Sequence, residues 1–207
     1  MHMAYLTLTL LWITWCALHS VLISARVTQF LRRRFPNVFR YYRLLYNLFA
    51  VTSLAPVAAY TLSLRGPPLV AWQGAWKSVP VVLGAAALLF FWAGARRYDF
   101  MQFVGLRQIR GENGCSVLTE DCSLDTGGVL ALVRHPWYTG GLLAVWARPL
   151  DLAAIVTNVL LCGYLVIGAY LEERKLKMLF GAAYEAYQRR VSMFLPLKAL
   201  TRFLRRT

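Results

Sequence analysis

Charged residues are absent from four long stretches of the chain: Met1 to Ala25, Leu44 to Leu64, Ser78 to Ala95 and Leu152 to Leu171. At ~1.5 Å of rise per residue, a helix over each of these stretches is long enough to cross a hydrocarbon core of roughly 30 Å, the third only just. A fifth apolar stretch, Pro136 to Ala147, has 12 residues and reaches only about 18 Å as a helix. It therefore predicts a short, tilted arm or a re-entrant piece sheltered by protein, with Arg148-Pro149 turning the chain into the stretch that begins at Leu152. The pattern predicts an all-α, polytopic helical membrane protein with five membrane segments, the fourth of them short. Three spans fall in residues 1–95. Residues 96–207 supply a loop, a helical hairpin and a C-terminal helix, and the whole chain of 1–207 reads as one domain.

Composition agrees with this picture. Of 207 residues 58% are hydrophobic and only 15% charged, more apolar surface than one soluble core of this size buries. Charge then orients the segments. Lys and Arg number six in residues 26–43, five in 96–134 and nine after 171, against three (Arg65, Lys77, Arg148) in the remaining loops. A 20 to 3 split is a positive-inside signal that predicts the N-terminus outside and the C-terminus in the cytoplasm. The same asymmetry accounts for the net charge of +14 by attraction to membrane lipids, so nucleic acid is not needed as a partner. No basic segment precedes the first apolar stretch, which therefore reads as a retained helix. Cys16, Cys115, Cys122 and Cys162 show no metal-ligand spacing and read as ordinary thiols. No pattern in the chain sets an oligomeric state.

Polar residues that interrupt an apolar pattern are the functional candidates, because an ionisable group at membrane depth costs several kcal/mol unless it has a partner. Arg134-His135-Pro136-Trp137-Tyr138-Thr139-Gly140-Gly141 opens the short segment. Pro136 suits a first helical turn, whose free N–H groups and positive dipole end favour an anion. Glu172-Glu173-Arg174-Lys175 stands where the last span ends, on the same membrane face. Beyond it Leu176, Leu179, Phe180, Tyr184 and Tyr187 recur at helical spacing, predicting an amphipathic helix on the membrane surface or over a pocket. In the N-terminal half, His19-Ser20 and Tyr42-Arg43-x-x-Tyr46-Asn47 form a weaker polar patch.

Taken in order, Arg134-His135-Pro136-x-Tyr138-x-Gly140, then Glu172-Glu173-x-x-Leu176, Phe180-Gly181-x-x-Tyr184-x-x-Tyr187 and Leu195-Pro196 resemble the C-terminal half of the isoprenylcysteine carboxyl methyltransferase and phospholipid methyltransferase superfamily. His19-Ser20, Tyr46-Asn47 and Asp99-Phe100 followed by Gly105-Leu106-Arg107-Gln108 are similar to its bacterial branch, including methanethiol S-methyltransferases and NnrU-like membrane proteins. The resemblance implies S-adenosylmethionine as cofactor, bound at the cytoplasmic face of a bacterial inner membrane. It implies Gly128, Arg134, His135, Tyr138, Glu172 and Glu173 as cofactor-binding residues, with His135, Arg174 and Arg43 in catalytic roles and His19, Tyr46 and Asn47 on the substrate side. The implied acceptor is a small or lipid-like nucleophile, most readily a thiol, since nearby cations favour the thiolate. Isoprenylcysteine enzymes carry an Arg about one turn before the acidic pair, whereas this chain reads Gly168-Ala169-Tyr170, which points away from a prenyl-protein substrate. Two other classes share parts of the pattern: a sterol-type membrane reductase using NADPH, which has Asn where this chain has Trp137, and a non-catalytic NnrU-like membrane protein.

Overall fold

The computed structural model describes residues 2–111 and 123–205, so Cys115 and Cys122 lie outside the described residues. The helices, in chain order, are α1 (His2–Ile23), α2 (Ala25–Arg34), α3 (Pro36–Phe39), α4 (Tyr42–Ser63), α5 (Ser78–Ala95), α6 (Phe100–Val104), α7 (Leu106–Ile109), α8 (Pro136–Trp146), α9 (Leu152–Phe180), α10 (Ala182–Arg190) and α11 (Leu197–Leu204). Short 3-10 turns cover Gly74–Lys77 and Gly128–Ala131. Four helical segments are long and apolar enough to cross a membrane: α1, α4, α5 with the turn before it, and α9. All four charge-free stretches thus become helices, and the fifth becomes the 11-residue α8. One boundary moves: α9 runs for 29 residues, past Glu172 and Glu173 to Phe180, rather than ending at Leu171.

The chain forms two compact units. The first takes in the described residues of 1–70, 100–117 and 150–160. Its helices α1 and α4 run antiparallel and are joined by polar side chains within otherwise apolar surfaces. Trp12 donates to Thr61 Oγ1 at 3.1 Å, Trp15 to Ser53 Oγ at 3.1 Å, and the Tyr42 hydroxyl to the Leu22 carbonyl at 2.7 Å. Where lipid removes the hydrophobic drive between helices, such bonds contribute about 0.6 kcal/mol each. Leu69 and Val70 pair with Leu150 through backbone bonds of 2.8 to 3.1 Å, fixing the α4–α5 connection to the start of α9.

The second unit takes in the described residues of 71–99, 118–149 and 161–207. Here α8 lies between α5 and the second half of α9, antiparallel to both. Its neighbours show this: Gly94 meets Trp137 and Gly84 meets Ala147 along α5, while Tyr138 meets Gly168 and Trp146 meets Cys162 along α9. The approach at Gly94 is the closest of these, since a Cβ there would stand 2.5 Å from the Trp137 ring. Trp137 is held in place by donating Nε1–H to the Phe91 carbonyl at 3.1 Å. The indole N–H of Trp72 reaches the Arg148 carbonyl at 2.9 Å and ties down the α8–α9 turn. Past α9, Gly181 breaks the helix and α10 folds back, so that Leu176, Tyr184, Tyr187 and Val191 form one buried cluster with Phe180 and Leu124 against it. Leu179 points outward.

Candidate functional site

The site grows from the residues just before α8. Pro136 disfavours helical backbone at the residue preceding it, and His135 is accordingly non-helical at φ −125°, ψ 70°. The strip Val133–His135 pairs with the chain after α10: Arg134 N–H bonds the Ser192 carbonyl at 2.9 Å, and His135 N–H bonds that of Met193 at 3.2 Å. The Thr139 hydroxyl lies 3.0 Å from both the His135 and the Phe194 carbonyls. His135 is held from both sides and is almost fully buried.

Glu173 is the centre of the cluster. Its Oε1 accepts from Arg134 Nε at 2.6 Å and lies 3.2 Å from His135 Nε2, while its Oε2 accepts from Gln188 Nε2 at 2.6 Å. The rest of the Arg134 guanidinium bonds the carbonyls of Gln188 and Val191. Arg134 and Glu173 therefore form a buried pair in which both carboxylate oxygens accept and the guanidinium also donates to two backbone carbonyls, the kind of added bonding that lets a buried ion pair be tolerated. Both oxygens of Glu173 are occupied inside the protein. Glu172 differs: its carboxylate is 28% exposed, with Oε2 3.7 Å from His135 Nδ1. Tyr138 stands edge-on to the imidazole. His135 thus sits between two carboxylates, one engaged and one open.

Beside this cluster is a small cleft of about 30 Å³, partly open to solvent. Tyr98, Asp125, Arg134, Phe180, Tyr184 and Tyr187 are among its lining residues. The Tyr187 hydroxyl donates to the Leu130 carbonyl at 2.6 Å. The Tyr184 hydroxyl is buried with no hydrogen-bond partner among the described residues, in a residue only 1% exposed. An unmade buried hydrogen bond costs about 1–3 kcal/mol, so it marks a place where a ligand atom would be welcome. Burial pushes the Tyr98, Tyr184 and Tyr187 hydroxyls above the usual tyrosine range, so all three remain protonated donors. On the rim, Asp125 accepts from Gly127 N–H at 2.8 Å and faces Arg97 at 3.5 Å. Gly128 has φ +55°, and a Cβ there would fall 2.5 Å from the Arg97 guanidinium. The group that comes close to the Gly128 backbone is thus Arg97.

Of the residues singled out in the sequence, Arg134, His135, Tyr138, Glu172 and Glu173 are brought together, and Gly128 stands at the cleft's rim. Arg174 lies on the exposed side of α9. The N-terminal candidates form a group of their own in the first unit. His19 Nε2 lies 2.5 Å from the Tyr46 hydroxyl, with Trp15 stacked on the imidazole at 5.1 Å. Arg43 donates to the Phe103 carbonyl at 3.0 Å, and Asn47 to those of Phe103 and Val104 at 3.0 and 3.1 Å, so both fasten α4 to α6. Sequence reasoning missed Asp125, Arg97 and Gln188 and took Tyr184 for packing alone. Asp125-Thr126-Gly127-Gly128 carries a turn signature that could have marked the rim. Gln188 lies one helical turn after Tyr184, on the inward face of α10.

A helical membrane protein with a buried acid–base cluster beside a tyrosine-lined cleft is the class that fold and site define. The chain is 32% identical over 136 residues to methanethiol S-methyltransferase 2 of Bradyrhizobium diazoefficiens, covering 64% of this chain and 52% of that protein. It is 31% identical over 148 residues to methanethiol S-methyltransferase of Mycobacterium tuberculosis, covering 62% of this chain and 58% of that one. A shorter stretch of 77 residues is 40% identical to the enzyme of the same name from Pseudomonas deceptionensis, 37% of this chain and 29% of that protein. The chain therefore spans between about a quarter and three fifths of the length of these curated relatives. No family model matches the chain. No solved structure matches it either.

Proposed function

We propose that the chain is an integral membrane methyltransferase of the bacterial inner membrane that moves a methyl group from S-adenosylmethionine to a small thiol, at a site facing the cytoplasm. The observation that carries this reading is the cleft itself. Its lining brings together Tyr184, whose buried hydroxyl has no partner among the described residues, the Arg134 guanidinium and the acidic Asp125. Its relatives named as methanethiol S-methyltransferases support transfer to a thiol, and favour it over a nicotinamide-dependent reductase or a non-catalytic membrane protein.

The side chains around the cleft carry the kinds of group that would hold such a cofactor. Tyr98, Phe180 and Tyr187 offer aromatic faces to a purine or to a sulfonium cation. Asp125 and Glu172 are carboxylates with accessible oxygens that would accept from ribose hydroxyls or an ammonium group, and Arg134 would face a carboxylate. Glu173, with both oxygens taken, acts through Arg134 and His135 by fixing their positions. S-adenosylmethionine supplies an electrophilic methyl on a sulfonium sulfur. What the protein adds is in-line placement, exclusion of water and a nucleophile in its anionic form. His135, between two carboxylates, can accept and pass on a thiol proton. Arg174 remains a candidate for the acceptor side, whereas Arg43, His19, Tyr46 and Asn47 belong to the first unit.

Binding of labelled S-adenosylhomocysteine to purified, detergent-solubilised protein tests this reading. Saturable binding that His135→Ala or Glu172→Gln weakens is expected, together with methylation of methanethiol-sized thiols in preference to amines or lipid carboxylates. Absence of binding alongside tight binding of NADPH would replace the proposal with the reductase reading.

A further inference from the structure

The last helix, α11, has no role in the cleft, and its surface is divided in two. Leu197, Leu200, Phe203 and Leu204 fall within about 120° of arc at ~100° per residue, while Lys198, Arg202 and Arg205 occupy the opposite side. The four apolar side chains are 54 to 65% exposed, and α11 contains no buried residue. A helix of eight residues is too short to persist in water on its own propensity, so it requires a phase in which to bury that face. Its position narrows what that phase is. Lys198 Nζ donates to the Gln188 carbonyl at 2.8 Å, and Lys198 N–H to Ser192 Oγ at 3.0 Å. Gln188 in turn holds Glu173 near the end of α9. This ties α11, through Gln188 and Glu173, to the second half of a helix long and apolar enough to cross a membrane.

We infer that α11 is an interfacial helix that docks on a bilayer surface bearing anionic lipid, its leucines and Phe203 entering the acyl boundary and Arg202 and Arg205 meeting headgroup phosphates. Charge complementarity selects this occupant over a second copy of the chain, which carries the same net charge of +14. Docking is independent of the methyl-transfer reading, because it concerns only α11 and its tether.

Hydrogen exchange of the full chain in nanodiscs tests it. Amides of residues 198–205 are expected to exchange about tenfold or more slowly when phosphatidylglycerol is added to phosphatidylcholine discs, since each surface cation contributes about fivefold. Arg202→Gln should remove about fivefold of that gain, and Leu200→Ser with Phe203→Ser should abolish protection in both lipids, with exchange of α9 amides unchanged as the fold control. Equal exchange in the two lipid compositions would overturn the inference. Protection that follows the number of protein copies per disc rather than the lipid would overturn it equally.

Discussion

Two side chains in the cleft unit make opposite demands on the fold, and the contrast separates binding from stability. Tyr184 holds a buried hydroxyl that no described residue satisfies. Tyr184→Phe should therefore leave thermal stability unchanged or slightly raised, because the desolvation cost of an unmade hydrogen bond disappears with the oxygen. Affinity for S-adenosylhomocysteine should fall about five- to tenfold, the value of one ordinary hydrogen bond of ~1 kcal/mol. Equal affinity in wild type and variant, measured by equilibrium binding, would mean that the hydroxyl does not face the ligand. Glu173 is the reverse case. Glu173→Gln leaves the Arg134 guanidinium, 9% exposed in its side chain, without a counter-charge. Removing one partner of a buried pair costs about 3–5 kcal/mol, and the neutral isostere that keeps part of the hydrogen bonding should come in near the lower end. A lowered thermal midpoint in detergent and weakened cofactor binding are expected together. A variant with wild-type stability and impaired binding would make Glu173 a direct ligand instead.

At the scale of elements, most of the helices could be read from the sequence because lipid imposes a one-dimensional rule: a stretch without charge and of sufficient length becomes a helix. That rule holds for α1, α4, α5 and α8 within two residues at almost every boundary. It fails at the end of α9, because the charges at 172–175 were taken to end the helix. Glu173 instead turns inward to Arg134, and the helix continues. The pairing of His135 with the acidic pair was expected from their shared membrane face, whereas the partners of that pair were not. Arg97 with Asp125, and Gln188 with Glu173, are contacts across 28 and 15 residues that leave no periodic trace. Packing of α5 on α8 was equally hidden, since a glycine in an apolar run looks like any small residue. Gly94→Ala should cost about 1–3 kcal/mol by overpacking, as its Cβ would stand 2.5 Å from the Trp137 ring. Trp137 packs edge-on to Tyr98 at 4.7 Å, so the cleft should be disturbed too. Gly94→Ala combined with Trp137→Leu should recover part of the lost thermal midpoint. If the single variant melts like wild type, the close approach of α5 and α8 does not limit stability.

For the molecule as a whole, the number of crossings decides where every other feature lies. Counting only the four helices of membrane length would put both termini on one side. With the N-terminus outside, the nine cations after residue 171 would then join Arg65 and Lys77, while Arg148 would join the inner group, leaving 11 positive charges outside against 12 inside and no orienting bias. Counting α8 as a crossing restores the split of 20 to 3. Two bonding patterns support that count. Leu150 pairs with Leu69 and Val70, and Arg148 accepts from Trp72, so the α8–α9 turn is fastened to the connection that follows α4. Meanwhile the start of α8 lies against Gly94 at the opposite end of α5. An 11-residue helix spans only about 17 Å, so the crossing we propose for α8 requires that α5 and α9, which flank it, shelter it from lipid. Reporter fusions should accordingly give periplasmic activity at the N-terminus and in the loop near Gly66, and cytoplasmic fluorescence at the C-terminus. A C-terminal fusion that reports outside would reduce α8 to a re-entrant helix. It would also move the cleft, which hangs on the last turns of α9, to the face of the membrane where S-adenosylmethionine is not made.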